Sequence, residues 1–188
     1  MSRDAIQEIL RESAETTLAA AGLTDEIAQF AEWMQQTYRQ GGKVILFGNG
    51  GSACDAAHVA GELVGRFLRE RRSLPAIALL EPAVVTAIGN DYGFEAVFSR
   101  QVEGWTAPND LAVGFTTSGK SPNVLAGLSA AKRKGARTVA LTGAAGTDRG
   151  DVADRVLAVP SRVTARVQEC HMTIAHIVCE LVERALEE

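Results

Sequence analysis

Apolar residues recur at helical spacing over residues 6–21 and again over 24–40. The chain is therefore expected to open on two helices, broken at Gly22, with Thr24 as the N-cap of the second. The pattern then changes to short continuous apolar runs: KVILFG from Lys43, AIALL from Ala76, LAVGFT from Leu111, TVALTG from Thr138 and RVLAVP from Arg155. Runs of this length without polar alternation predict strands buried on both faces. Residues 55–69, 82–88 and 123–134 are long enough to cross between them as helices, and a long helix is expected over 164–186. Strand and helix in alternation imply right-handed βαβ units, a parallel sheet and helices on both of its faces. The predicted fold class is α/β: a three-layer α/β/α sandwich around a five-stranded parallel sheet, in a single domain over 1–188. Residues 1–40 form a helical extension, and 41–188 form the core with its C-terminal helix.

Composition narrows the function classes. A chain of 188 residues can bury a core without disulfides, and 46% apolar with 22% charged residues describes a folded protein. A net charge of -4 and 5% aromatic residues leave no basic footprint for nucleic acid, and KRKGAR near residue 132 reads as a solvated helix end. No apolar run reaches the length of a membrane span, and acidic residues in MSRDAIQEIL stand where a signal peptide is apolar, so a cytoplasmic protein is expected. Cys54, Cys170 and Cys179 are too few and too irregularly spaced for a disulfide framework; buried free thiols are the expectation.

Ligands of open parallel sheets gather beyond the C-terminal strand ends. After the first strand comes GNGGSACDAAH, with Gly48, Asn49, Gly50, Gly51 and Ser52 leading into a helix. Glycines admit a ligand to the backbone and a helix start favours an anion, although a tight turn explains the same residues. The loop fits neither the triphosphate nor the dinucleotide fingerprint. After the third strand comes TTSGKSPN, where Thr116, Thr117, Ser118 and Ser121 surround Gly119. Four hydroxyls before a helix can cradle a phosphate; helix capping is the simpler alternative, but it uses one hydroxyl. GNDYGF, with Asn90 and Asp91, reads as an ordinary turn.

His58 and Glu62 stand four apart on the helix that leaves the glycine loop, so both project from one face, as a surface pair or as a pair of ligands. The other two of the 3 histidines, His171 and His176, lie in VQECHMTIAH with Gln168 and Cys170.

Taken together, GNGGSACDAAHVAGELVGRF, GNDYGFE, TTSGKSPNV and VQECHMTIAHIVCELVE resemble the phosphoheptose isomerases of the sugar isomerase (SIS) superfamily. The resemblance spans nearly the whole chain and implies the flavodoxin-like SIS fold. It implies a homotetramer with sites at subunit interfaces that converts sedoheptulose 7-phosphate to D-glycero-D-manno-heptose 7-phosphate, the first step toward activated heptose. Sugar-phosphate contacts would fall on Asn49, Gly50, Gly51, Ser52, Glu62, Asn90, Asp91, Thr116, Thr117, Ser118, Ser121 and Gln168. Zinc ligands, for one ion per subunit, would fall on His58, Glu62, Gln168 and His176, and the acid/base pair on Glu62 and His176. Thr116 replaces an expected serine and keeps the hydroxyl. Other readings are an isomerase of another ketose phosphate, or a non-catalytic SIS module that binds a sugar phosphate or a protein such as a replication initiator.

Ketose–aldose isomerisation needs a base at adjacent carbons and a proton carrier at their oxygens, roles suited to Glu62 and His176. Gln168 and His176 are eight apart, about 12 Å along a regular helix. That distance predicts either a bend near Gln168 or a contribution from a neighbouring subunit, and a shared site is the favoured expectation. His171 points off the His176 face and is expected to be structural, with Cys170.

Overall fold

A computed structural model describes residues 2–146 and 151–186. Its frame is a five-stranded sheet of β1 (Val44–Gly48), β2 (Ala76–Ala78), β3 (Leu111–Thr116), β4 (Arg137–Gly143) and β5 (Arg155–Val159). All neighbours pair in parallel, in the order β2-β1-β3-β4-β5. β1 and β3 are buried along their whole length, which is why their sequences lack alternation. The chain leaves β1 toward β2 on one side and later returns to β3 on the other, so the order reverses between β1 and β3. The crevice beyond their C-terminal ends is where this fold class binds ligands.

Seven α-helices accompany the sheet among the described residues: α1 (Arg3–Ala19), α2 (Thr24–Arg39), α3 (Gly51–Val64), α4 (Pro82–Tyr92), α5 (Ser99–Trp105), α6 (Pro122–Arg133) and α7 (Thr164–Leu186). On one face, Ile27, Phe30, Met34 and Tyr38 of α2 join Ala56, Val59 and Leu63 of α3 and Val167, Ile174 and Val178 of α7 over Leu46, Val113 and Leu141. On the other, Val124 and Leu128 of α6 and Val102 of α5 cover Ile45, Phe47 and Ala112. The three-layer sandwich, the parallel sheet, the opening helices and the closing helix are thus as the sequence predicts.

Several local expectations are corrected. Thr24 does not cap α2: its hydroxyl donates to the Ala21 carbonyl at 2.7 Å, because the chain enters α2 through a 3-10 turn over Ala20–Leu23. α3 begins at Gly51 and stops at Val64, short of Arg69. α4 runs past Ile88, so Asn90 and Asp91 lie on its last turn instead of in a loop. α5 has no counterpart in the predicted elements. Cys170 and Cys179 are buried free thiols, but Cys54 is exposed.

Candidate active site

The glycine loop shapes the first wall. Gly50 takes φ +56 and ψ -123, a conformation other residues adopt only under strain, and sits at the N-cap of α3. Gly51 has a different reason for lacking a side chain: a Cβ there would meet the Gln168 amide at 2.5–2.9 Å. Gln168, from α7, lies over the start of α3, and its Nε2 donates to Asp55 Oδ1 at 3.3 Å. Ser52 is buried beside this turn.

The hydroxyl loop forms the opposite wall. Ser121 occupies the N-cap position of α6, yet its side chain makes no capping hydrogen bond; the first-turn N–H of Val124 donates to Asn123 Oδ1 at 2.9 Å. Instead Thr116 Oγ1 and Ser121 Oγ lie 3.0 Å apart, and Ser118 Oγ accepts the Lys120 N–H at 3.1 Å. Capping therefore does not account for these hydroxyls. The two walls are joined by a reciprocal amide pair, Asn49 and Asn123 each donating to the other's oxygen at 2.9 Å. The Asn49 side chain is thus engaged with the protein.

Further along α3 and α7 the chemistry concentrates. His58 Nε2 is 3.1 Å from Glu62 Oε1 and 3.1 Å from His176 Nε2. One ligand atom from each of the three lies within 4.8 Å of the others. The Phe67 ring stacks on His176, with centroids 5.2 Å apart and planes 24° apart. α3 and α7 run side by side in the same direction: Gln168 meets Gly51 and Asp55, and His176 meets His58. The eight-residue spacing therefore needs no bend in α7, which is continuous from Thr164 to Leu186. One chain also joins Glu62 and His176 without a neighbour's help.

Asn90 and Asp91 are not brought to this cluster. A cavity of about 310 Å³ beside the glycine loop is lined by Pro82, Val85 and Thr86 from the start of α4, with Gly48, Asn49 and Gly50. Asn90 and Asp91 do not line it; they are exposed, and Asn90 Nδ2 donates to Asp91 Oδ1 at 2.8 Å. His171 is structural as expected: fully buried, with Nε2 3.1 Å from the Thr142 carbonyl and an edge-on contact to Phe115. Burial lowers its pKa to about 4, against the Thr142 hydrogen bond.

Sequence reasoning missed Asp55, Phe67 and Asn123. Burial pushes the Asp55 carboxyl above its usual range, opposed by the Gln168 hydrogen bond and by His58. Its position one turn before His58 was the available signal for Asp55; Asn123 closes the hydroxyl-loop motif, and Phe67 ends the motif containing His58 and Glu62.

Two nitrogens and one carboxylate oxygen form a donor set that zinc takes in catalytic sites with an open position, so His58, Glu62 and His176 fit such an ion. The SIS domain family matches residues 4–143 of the chain, a span that takes in both the glycine loop beyond β1 and the hydroxyl loop beyond β3, so the chain is an SIS domain protein. Within that class the chain belongs to the phosphoheptose isomerase family. It is 51% identical to the phosphoheptose isomerase of Aquifex aeolicus over 185 residues, 97% of each chain. The solved phosphoheptose isomerase of Neisseria gonorrhoeae superposes with a TM-score of 0.90 at 37% identity, covering 97% of this chain and 98% of that one. The corresponding structure from Francisella tularensis gives 0.92 at 35%, covering 98% and 99%.

Proposed function

We propose that this chain isomerises sedoheptulose 7-phosphate to D-glycero-D-manno-heptose 7-phosphate, with Glu62 and His176 as its acid/base pair. The observation that carries the reading is the convergence of those two side chains on His58, in a chain whose loop beyond β3 holds hydroxyls that Ser121 does not use to cap α6. The Thr116, Thr117, Ser118 and Ser121 loop holds the phosphate, and Asn49, Gly50, Gly51, Ser52 and Gln168 border the sugar. Anchoring the far end fixes C1 and C2 at the cluster.

The Glu62 carboxylate takes a proton from C1, and the electrons of that C–H bond form the C1=C2 double bond. His176 gives a proton to the C2 oxygen, which closes the enediol. In the second half His176 recovers a proton from the C1 hydroxyl as the C1 carbonyl forms. The double-bond electrons then take the proton from Glu62 at C2. Proton balance is complete, and no redox partner is needed.

His58, Glu62 and His176 would hold a zinc ion; Gln168, the fourth family-implied ligand, is turned to Asp55 and would have to leave that hydrogen bond to join them. Bound there, zinc would act as a Lewis acid toward the sugar oxygens.

The homotetramer with sites at subunit interfaces is part of the same reading. Support comes from apolar side chains left exposed on two helices, α1 and α4. α1 buries only Thr16 while Ile6, Ile9, Leu10 and Leu18 are exposed, and α4 buries none of its residues. Exposed apolar side chains grouped on helices in this way fit association with further copies of the chain. Residues 1–188 are read as one domain, since α1 and α2 pack on α7. Cytoplasmic residence fits the free thiols and the lack, among the described residues, of a helix able to cross a membrane.

The test is incubation with sedoheptulose 7-phosphate and smaller ketose phosphates in deuterated water, followed by NMR. Conversion of the heptulose is expected from the wild type, with deuterium at C2 in the fraction of turnovers where the Glu62 proton exchanges with solvent before the enediol collapses, and no conversion from Glu62→Gln. Turnover of a smaller ketose alone would change the substrate, and no turnover of any would return the chain to a binding role.

A further inference from the structure

Glu183 lies two turns beyond His176 on α7, and its side chain is only 2% exposed. It is not left alone there. The backbone N–H of Phe67 donates to its Oε1 at 2.8 Å, and those of Leu68 and Arg69 donate to Oε2 at 2.9 and 3.0 Å. Arg71 Nε stands 3.0 Å from Oε1, with the Arg71 side chain itself 7% exposed. Burial alone would raise the Glu183 pKa, but the three N–H donors and the Arg71 guanidinium outweigh it and hold the carboxyl below its usual range.

The same guanidinium gathers the end of α3. Arg71 Nη2 donates to the Glu62 carbonyl at 2.7 Å, and Nη1 donates to the carbonyls of Leu63 at 2.9 Å and Gly65 at 3.3 Å. Carbonyls of a last helical turn have no partner within the helix, so a cation there satisfies them and complements the helix dipole. One ion pair thus fixes the backbone at Glu62 and the segment that places the Phe67 ring on His176.

We infer that Phe67, Glu183 and Arg71 are positioning residues for the isomerisation. Glu183 holds the 67–69 backbone so that the Phe67 ring stacks on His176 and fixes the imidazole toward His58 and Glu62. The inference rests on the reading of Glu62 and His176 as the acid/base pair. A buried pair this far from solvent costs desolvation that an apolar pair would avoid, so stability alone is a weak account of it.

The variants that test this are Phe67→Leu, which keeps the backbone donor and removes the ring, Phe67→Tyr, which restores a ring, and Glu183→Gln. Each is measured for kcat and KM with sedoheptulose 7-phosphate, for Tm, and for the imidazole resonances of the 3 histidines by NMR. Phe67→Leu should lower kcat by about tenfold or more with KM within about twofold, the pattern of a misplaced reacting group. Phe67→Tyr should recover most of the rate. In Phe67→Leu and Glu183→Gln the His176 resonances should move while those of His171 stay. The double variant Phe67→Leu with Glu183→Gln should be no slower than the slower single, because one acts through the other.

A Phe67→Leu protein with wild-type kcat and unmoved His176 resonances would overturn the inference, and fully additive losses would cut Glu183 out of it. If Glu183→Gln does not fold, the Phe67 pair decides alone. The NMR arm needs no turnover, so a wild type inactive on the heptulose would sink the isomerase reading while leaving the positioning of His176 independently tested.

Discussion

The Nε2 atoms of His58 and His176 face each other at 3.1 Å, and Glu62 Oε1 stands 3.1 Å from the first of them. Two imidazole nitrogens this close share one proton or one metal ion. On the zinc reading, protein purified without a histidine tag should carry about one zinc per subunit by elemental analysis. His58→Ala should lose affinity by more than the about 10–100-fold that removing a ligand's hydrogen-bond partner costs. Stoichiometric zinc in His58→Ala would remove His58 from the ligand set.

Gly51 gives a second, separable test. A methyl group there meets the end of the Gln168 side chain at 2.5–2.9 Å, and that side chain is free to swing away. Gly51→Ala should therefore fold with a Tm within a few degrees of wild type while breaking the Gln168–Asp55 hydrogen bond. The expected cost is a fall in kcat/KM of about tenfold or more, since a small displacement at a site costs rate before stability. Wild-type kinetics in Gly51→Ala would show that the place of Gln168 over the glycine loop is immaterial.

The parts of this arrangement legible in the sequence are those with a local signature. Continuous apolar runs gave all five strands, glycines and hydroxyls marked the loops beyond β1 and β3, and four-residue spacing put His58 and Glu62 on one face. The rest depends on partners far apart in the chain. Asn49 and Asn123 are 74 residues apart, and Phe67 and Glu183 are 116 apart, so no periodicity links them. α4 hid Asn90 and Asp91 for the opposite reason: glycine and asparagine usually mark a turn, and here the helix continues through them. α3 ends early, at its C-cap Gly65, where Arg71 folds back onto its last carbonyls, a contact its apolar pattern does not record.

His171 should impose a pH dependence on stability. Its folded pKa is about 4 against an ordinary 6.5, because the ring is buried. Between those values the unfolded chain binds a proton that the folded chain does not, so stability falls as pH drops from 6.5 toward 4 and levels off below. The loss across that window is of order 3 kcal/mol. Tm measured from pH 7 to pH 4.5 should decline more steeply in wild type than in His171→Leu, which cannot take up that proton. Parallel curves would mean that other groups set the acid limb.

Subunit mixing can separate what one chain supplies from what a neighbour adds. Glu62 and His176 meet within one chain, so each of the variants Glu62→Gln and His176→Gln spoils the cluster of its own subunit. Mixed together they leave no subunit with an intact pair, and no activity should return. Asp91 differs, because it sits exposed at the far end of α4, away from the cavity beside its own glycine loop. If Asp91 reaches the site of an adjoining subunit, Glu62→Gln mixed with Asp91→Ala rebuilds complete sites, each with its cluster from one variant and Asp91 from the other. Random pairing at equal amounts makes that about a quarter of all sites, so about a quarter of wild-type activity should return. Recovery in the first mixture would overturn the single-chain cluster. Its absence from the second, with exchange shown by mass spectrometry of the mixed oligomers, would place Asp91 outside the shared site.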